Sequence, residues 1–133
     1  MVVRGIRGAT TVPANTREQI LQATRELLDE IVRRNAVDAE QVASVIFTTT
    51  PDLNAEFPAV AARELGWTHV ALECLHEMNV PGSLPRCLRI LMHVNTDRAQ
   101  RDLQHVYLRD AGALRPDLAK QHPQTDQPTE ARP

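Results

Sequence analysis

The segment Arg86–Val94 (RCLRILMHV) constrains the chain most. Leu88, Ile90, Met92 and Val94 alternate with Cys87, Arg89, Leu91 and His93, and a period of two puts the first set on one face of a strand and the second on the other. One face is wholly apolar and the second is mixed. The fold must therefore contain a sheet whose apolar face is covered, while its partly apolar second face invites association.

The remaining elements follow from the same kind of reading. Met1–Val12 (MVVRGIRGATTV) is rich in β-branched residues and glycine, lacks helical periodicity and ends at Pro13, which predicts a strand with Arg7 and Ile6 on opposite sides. Asn15 followed by Glu18 suggests a capping box, and Ile20, Leu27, Leu28, Ile31 and Val32 recur at helical spacing through Arg34. Val42–Thr49 (VASVIFTT) reads as a strand closed by Pro51 and Asp52. Pro58 opens a short helix over AVAAREL, which stops at Gly66. Val70–Cys74 predicts a third strand, followed by a loop holding Glu77. Asp97–Leu103 suggests a short helix and His105–Leu108 a last strand carrying Tyr107. The order β-α-β-α-β-β-(α)-β predicts an α+β fold, an α/β sandwich with a single mixed sheet and helices on one face.

A chain of 133 residues with 42% hydrophobic and 24% charged residues suits a single domain. Beyond Asp117 the segment AKQHPQTDQPTEARP has too little apolar surface to offset the entropy of ordering, and residues 119–133 are expected to be a disordered tail. The net charge of -2 argues against nucleic acid as a partner, and the two Phe, one Trp and one Tyr are too few for a base-stacking platform. No apolar run approaches the ~20 residues of a membrane span and no secretory signal pattern opens the chain, so a soluble cytoplasmic protein without a membrane partner is expected. Cys74 and Cys87 have no CxxC-type spacing, and the five histidines form no HxxxH or HExxH pattern, so neither a metal site nor a disulfide is expected.

All basic residues except Lys120 are arginine, a side chain suited to carboxylates because its planar fork makes two parallel hydrogen bonds. Arg7, Arg89 and Tyr107 each place one hydrogen-bonding group amid apolar strand neighbours. Scattered over a solvated sheet face they would do nothing; brought together they would bind a dicarboxylate. Covalent and nucleotide motifs are lacking: the chain has no GxSxG, GxGxxG or GxxxxGK. What remains suits a reaction in which the protein orients an anion and stabilises charge.

The blocks VRGIRGATTV, TTTPDLNAEFPAVAARELGW, ECLHEMNVPGSLPRCLRILMHV and HVYL…ALRPDL agree in order and spacing with the AroH class of monofunctional chorismate mutases, which the chain resembles over residues 1–118. The resemblance implies the Claisen rearrangement of chorismate to prephenate on the route to phenylalanine and tyrosine. It also implies a homotrimeric pseudo-barrel with active sites at the subunit interfaces and no cofactor or metal. Carried over, it makes Arg89 the donor to the substrate ether oxygen and a carboxylate, and Glu77 the acceptor of the ring hydroxyl, with Cys74 nearby. Arg7 and Tyr107 become carboxylate ligands, Phe57 and Leu114 walls of the ring site, and Arg63 and Arg115 residues of its mouth. The chain departs from the family pattern at Val60, where a lysine is usual, and at Glu73, where a small polar residue is usual. A non-catalytic trimeric module that binds a small carboxylate is the alternative; Glu77 beside the arginines speaks against it, because a carboxylate weakens anion binding unless it serves the ring hydroxyl.

Overall fold

The structure, a computed structural model, describes residues 1–115; the expected tail lies outside the described residues. Strands β1 (Val2–Thr11), β2 (Val42–Thr49), β3 (Ala71–His76), β4 (Cys87–Thr96) and β5 (Val106–Tyr107) form one sheet in the order β3-β2-β4-β1-β5. β4 runs antiparallel to both β1 and β2, whereas β2 and β3, and β1 and β5, are parallel pairs, so the sheet is mixed as expected. Helices α1 (Arg17–Asn35) and α2 (Ala59–Glu64) complete the α+β fold.

The apolar face of β4 is buried as its alternation demands: Leu88, Ile90, Met92 and Val94 join Ile6 of β1, Val45 and Phe47 of β2, and Ile20, Leu27, Leu28 and Ile31 of α1 in one core. Each fully buried side chain of this size stabilises the fold by ~2 kcal/mol. Gly8 sets how closely α1 approaches the sheet, since a Cβ there would lie 2.8 Å from Ile31 Cδ1 and 3.0 Å from Leu27 Cδ1.

Four local findings differ from the sequence expectation. The α1 N-cap is Thr16, whose hydroxyl accepts from the Gln19 amide at 3.2 Å. Thr16 and Gln19 themselves have capping-box spacing, and Asn15 is released for another task. β3 continues two residues past Cys74, to His76. The expected helix over Asp97–Leu103 is a single 3-10 turn, Gln100–Asp102. Finally, a 3-10 helix over Arg109–Leu114, a segment without a periodic pattern, packs Ala111 and Leu114 with Ala9, Cys87 and Tyr107, on the sheet face opposite α1.

One irregularity decides which side chains reach that second face. Val42 pairs with Val94, but Ser44 pairs with His93, so one extra residue is inserted in β2 as a bulge. The insertion lets Val42 share the core with Val45 and Phe47, three and five positions on. Ser44, Ile46 and Thr48 are thereby turned to the open face.

Candidate active site

The register of four strands lays out the centre of the open face. Thr48 of β2 lies opposite Arg89 of β4, Arg89 opposite Ala9 of β1, and Ala9 opposite Tyr107 of β5. The row thus places a hydroxyl, a guanidinium, a methyl and a phenol side by side on one face. Arg7, two positions before Ala9, shares that face. Together with Ile46, Glu77 and Leu91 these residues line a cleft of about 240 Å³ whose floor is the small side chain of Ala9.

Each polar member is held in place. Arg7 donates to the Tyr107 hydroxyl from Nε at 3.2 Å and from Nη2 at 2.7 Å, which leaves the phenolic hydrogen to donate elsewhere. The approach to β5 is fixed by the buried Asn35 at the end of α1. Its amide donates to the Gln104 carbonyl at 2.9 Å, and its carbonyl accepts from the Gln104 amide at 2.7 Å. Glu77 follows β3 directly, its backbone N–H donating to the Thr49 carbonyl at 2.8 Å, and its side chain accepts a hydrogen bond from the Thr48 hydroxyl. Arg89 Nε is 3.4 Å from Glu77 Oε2, and this buried nitrogen makes no hydrogen bond. The cleft therefore holds one carboxylate and two guanidinium groups, one of which has a buried Nε that makes no hydrogen bond, a combination that suits an anionic ligand.

The remaining predicted residues lie elsewhere in the chain. Alternation along β3 puts Cys74 on the face opposite Glu77, packed against Phe47 and its core neighbours. There it lines a second cleft of about 350 Å³ with Leu53, Phe57, Pro58, Leu75 and His76. Burial pushes the Cys74 thiol up, and Arg63 of α2, close enough to oppose this, belongs to the same neighbourhood. The Phe57 ring is 66% exposed although its loop is tightly held. Asn15 Oδ1 accepts from the Asn54 and Ala55 amides at 3.0 Å each, and Glu56 accepts from Arg17 Nε at 2.8 Å and from the Phe57 amide at 2.9 Å. That amide bond, aided by Arg17, holds the Glu56 carboxyl below its ordinary value. Leu114, like Tyr107, packs against the buried Ala9, Cys87 and Ala111, and Arg115 follows it half-buried. Val60 sits in α2 and Glu73 is exposed on β3.

The structure thus brings Arg7, Arg89, Glu77 and Tyr107 together, packs Leu114 against the same buried cluster as Tyr107, and gathers Phe57, Cys74 and Arg63 separately. Thr48 was missed in the sequence, since only the bulge reveals the face it occupies. Among the described residues no cluster of three or more His, Cys, Asp or Glu is arranged to hold a metal ion, and no helix is long and apolar enough to cross a membrane.

The sequence pattern of the family described as Chorismate mutase type I matches residues 3–118. The chain belongs to the type I chorismate mutases. It is 49% identical over 120 residues to chorismate mutase AroH of Bacillus subtilis, covering 90% of this chain and 94% of that protein. It is 53% identical over 118 residues to chorismate mutase AroH of Thermus thermophilus, covering 88% and 97%. A solved chorismate mutase from Clostridium thermocellum superposes with a TM-score of 0.81 at 50% identity, over 82% of this chain and 97% of that one. This type I chorismate mutase is accordingly an isomerase that converts chorismate to prephenate, in aromatic amino acid biosynthesis. The resemblance read from the sequence blocks, and the activity it implied, are borne out over the carboxylate-binding module.

Proposed function

We propose that this chorismate mutase works without a cofactor, by orientation and charge stabilisation in the open-face cleft, and that its working unit is a homotrimer with active sites between subunits. Arg7 and the Tyr107 hydroxyl bind carboxylate, while Arg89 donates to the ether oxygen and a carboxylate. Glu77 accepts the ring hydroxyl. In the rearrangement the C–O bond breaks ahead of C–C formation, so negative charge grows on the ether oxygen, and a fixed guanidinium there lowers the barrier without proton transfer. Holding the enolpyruvyl arm over the ring in near-attack geometry supplies a further part of the acceleration.

The observation that carries this reading is the buried Arg89 Nε without a hydrogen-bond partner, beside Arg7, Tyr107 and Glu77 in one cleft. Support for the assembly comes from the division of the predicted site residues between two faces of one chain. An exposed Phe57 with Cys74 and Arg63 on one subunit would supply the wall that the open-face cleft of its neighbour lacks, and Leu114 and Arg115 would close it. Leu75, Met78 and Val80, all at least half exposed near the β3 edge, offer apolar surface for that contact. The catalytic unit is residues 1–118, with the tail 119–133 dispensable.

Subunit complementation tests the arrangement. Arg89→Ala removes one guanidinium charge from the open-face cleft and Phe57→Asp sets a carboxylate against the bound dianion, so each variant alone should be inactive at substrate concentrations near the wild-type KM. A co-refolded equimolar mixture should recover about a quarter of wild-type activity, because random assembly puts an intact half-site of each kind together in that share of a closed ring's interfaces. Sedimentation should give a trimer. A fully active monomer, or mixed trimers with no recovery, would refute the interfacial site.

A further inference from the structure

We infer that Thr48 is a positioning residue for the rearrangement: its hydroxyl competes for Glu77 Oε2 and keeps the Arg89–Glu77 ion pair from closing into a bidentate one, so that the guanidinium stays available to the substrate. The inference rests on the site reading above and deepens it. An arginine and a carboxylate in contact normally close into a bidentate pair with two parallel hydrogen bonds. Arg89 and Glu77 have not done so, although their side chains are only 38% and 26% exposed and Nε lies 3.4 Å from Oε2. That nitrogen makes no hydrogen bond at all. The competing interaction is at the same oxygen, for Oε2 accepts the Thr48 hydroxyl, which among the described residues is the one hydrogen bond to that carboxylate.

The backbone makes the competition geometrically unavoidable. Thr48 and Arg89 are direct cross-strand partners, and the Glu77 amide is tied to the carbonyl of Thr49, next to Thr48. The carboxylate is therefore suspended between a hydroxyl and a guanidinium on adjacent strands, anchored to the former. Its Oε1 stays free to accept the substrate ring hydroxyl, and Arg89 keeps its donors for the ether oxygen and carboxylate. Without the Thr48 hydroxyl, the single Arg89–Glu77 contact closes into a bidentate pair, neutralising more of the charge on which the transition state depends. The bulge between Val42 and Ser44 is what delivers Thr48 to this face.

The test is a double-mutant cycle on the full-length protein, with chorismate consumption as the readout and thermal melts confirming folding. Thr48→Val keeps the shape and removes the hydroxyl; it should lower kcat about 10-fold or more, the scale set by a hydrogen bond to a charged group, and change KM less. Thr48→Ser should stay within about 3-fold of wild type, because it restores the donor. Should Thr48→Val fail to fold, Thr48→Ala replaces it with the same expectation. In a Glu77→Ala background the loss caused by Thr48→Val should shrink to less than about 2-fold, since a group that acts through Glu77 has nothing left to position. An undiminished loss in that background would assign Thr48 a merely structural role and overturn the inference. Near wild-type kcat in folded Thr48→Val, with Glu77→Ala impaired, would overturn it while leaving the site reading intact. Wild-type kcat in Glu77→Ala itself would overturn both.

Discussion

The two clefts are built on different principles. The open-face cleft rests on the middle of the sheet: Arg89, Ala9 and Thr48 belong to strands paired over their full lengths, and Tyr107 is locked to β1. Its polar groups are fixed relative to one another by backbone register. The edge cleft is formed by β3, an edge strand paired on one side only, and by the loop before α2, and its shape depends on a few hydrogen bonds made by the side chains of Asn15, Arg17 and Asp52. Charge that must sit within fractions of an ångström of a reacting bond is placed on rigid elements, whereas an apolar wall tolerates a pinned loop. Disturbing the first cleft should therefore change the chemistry, and disturbing the second should change how well the substrate is held.

The largest effect is expected at Arg89. Arg89→Ala should lower kcat at least about 100-fold with a smaller change in KM, because the interaction strengthens only as the ether bond breaks. Arg89→Lys should recover little, since an ammonium keeps the charge but cannot span two acceptors with one planar fork. Steady-state kinetics on variants shown to be folded decides the matter. A folded Arg89→Ala with near wild-type kcat would erase the distinction between the two clefts.

A smaller effect, of the opposite kind, is expected from Asn15→Ala. The substitution frees the Asn54 and Ala55 amides and loosens the loop that presents Phe57. KM should rise by roughly 3- to 10-fold with kcat within about 2-fold, the signature of lost uniform binding. If kcat fell instead and KM held, the edge loop would have to be counted among the groups that act in the transition state.

The smallest effect concerns acid stability. Burial raises the Asp52 pKa, but hydrogen bonds from the Thr50 hydroxyl and the Arg86 amide outweigh it and the net shift is downward; Glu56 is lowered as well. A carboxylate with a depressed folded pKa adds stability above its unfolded pKa, and that contribution is lost as pH falls through the folded value. The melting temperature should hold above about pH 5 and decline on further acidification. Both groups flank the edge cleft and are solvent-accessible, so the decline is modest. Asp52→Asn should make it shallower; an unchanged acid slope would show that these contacts do not stabilise the loop.

Much of the fold was legible because β-strand and helix periodicities are local. The alternation Leu88, Ile90, Met92, Val94 and the helical spacing of Ile20, Leu27, Leu28 and Ile31 identified the elements that form the core. The candidate site is legible by another route: strand pattern singles out Arg7, Arg89 and Tyr107 and loop position marks Glu77, while the role of Glu77 and the second set of residues rest on the resemblance. Asn15 was misread as a cap because Thr16 satisfies the same spacing one position later, and a side chain that could cap proved to hold a loop. The 3-10 helix over Arg109–Leu114 has too few residues to display a period.

What the sequence determined by itself, then, is the set of strands, the apolar face of each regular one and the chemistry available on the others. The tertiary structure alone decided which of those groups meet. Thr48, Arg89, Ala9 and Tyr107 form a row because four strands come into register, and register depends on pairing between segments far apart in the chain. Thr48 joins that row only because one extra residue bulges from β2, and side-chain direction reverses with each single-residue shift. Cys74 and Glu77, three residues apart, end on opposite faces by the same rule. Local periodicity fixes a face relative to its own strand; only the packed sheet fixes it relative to its neighbours.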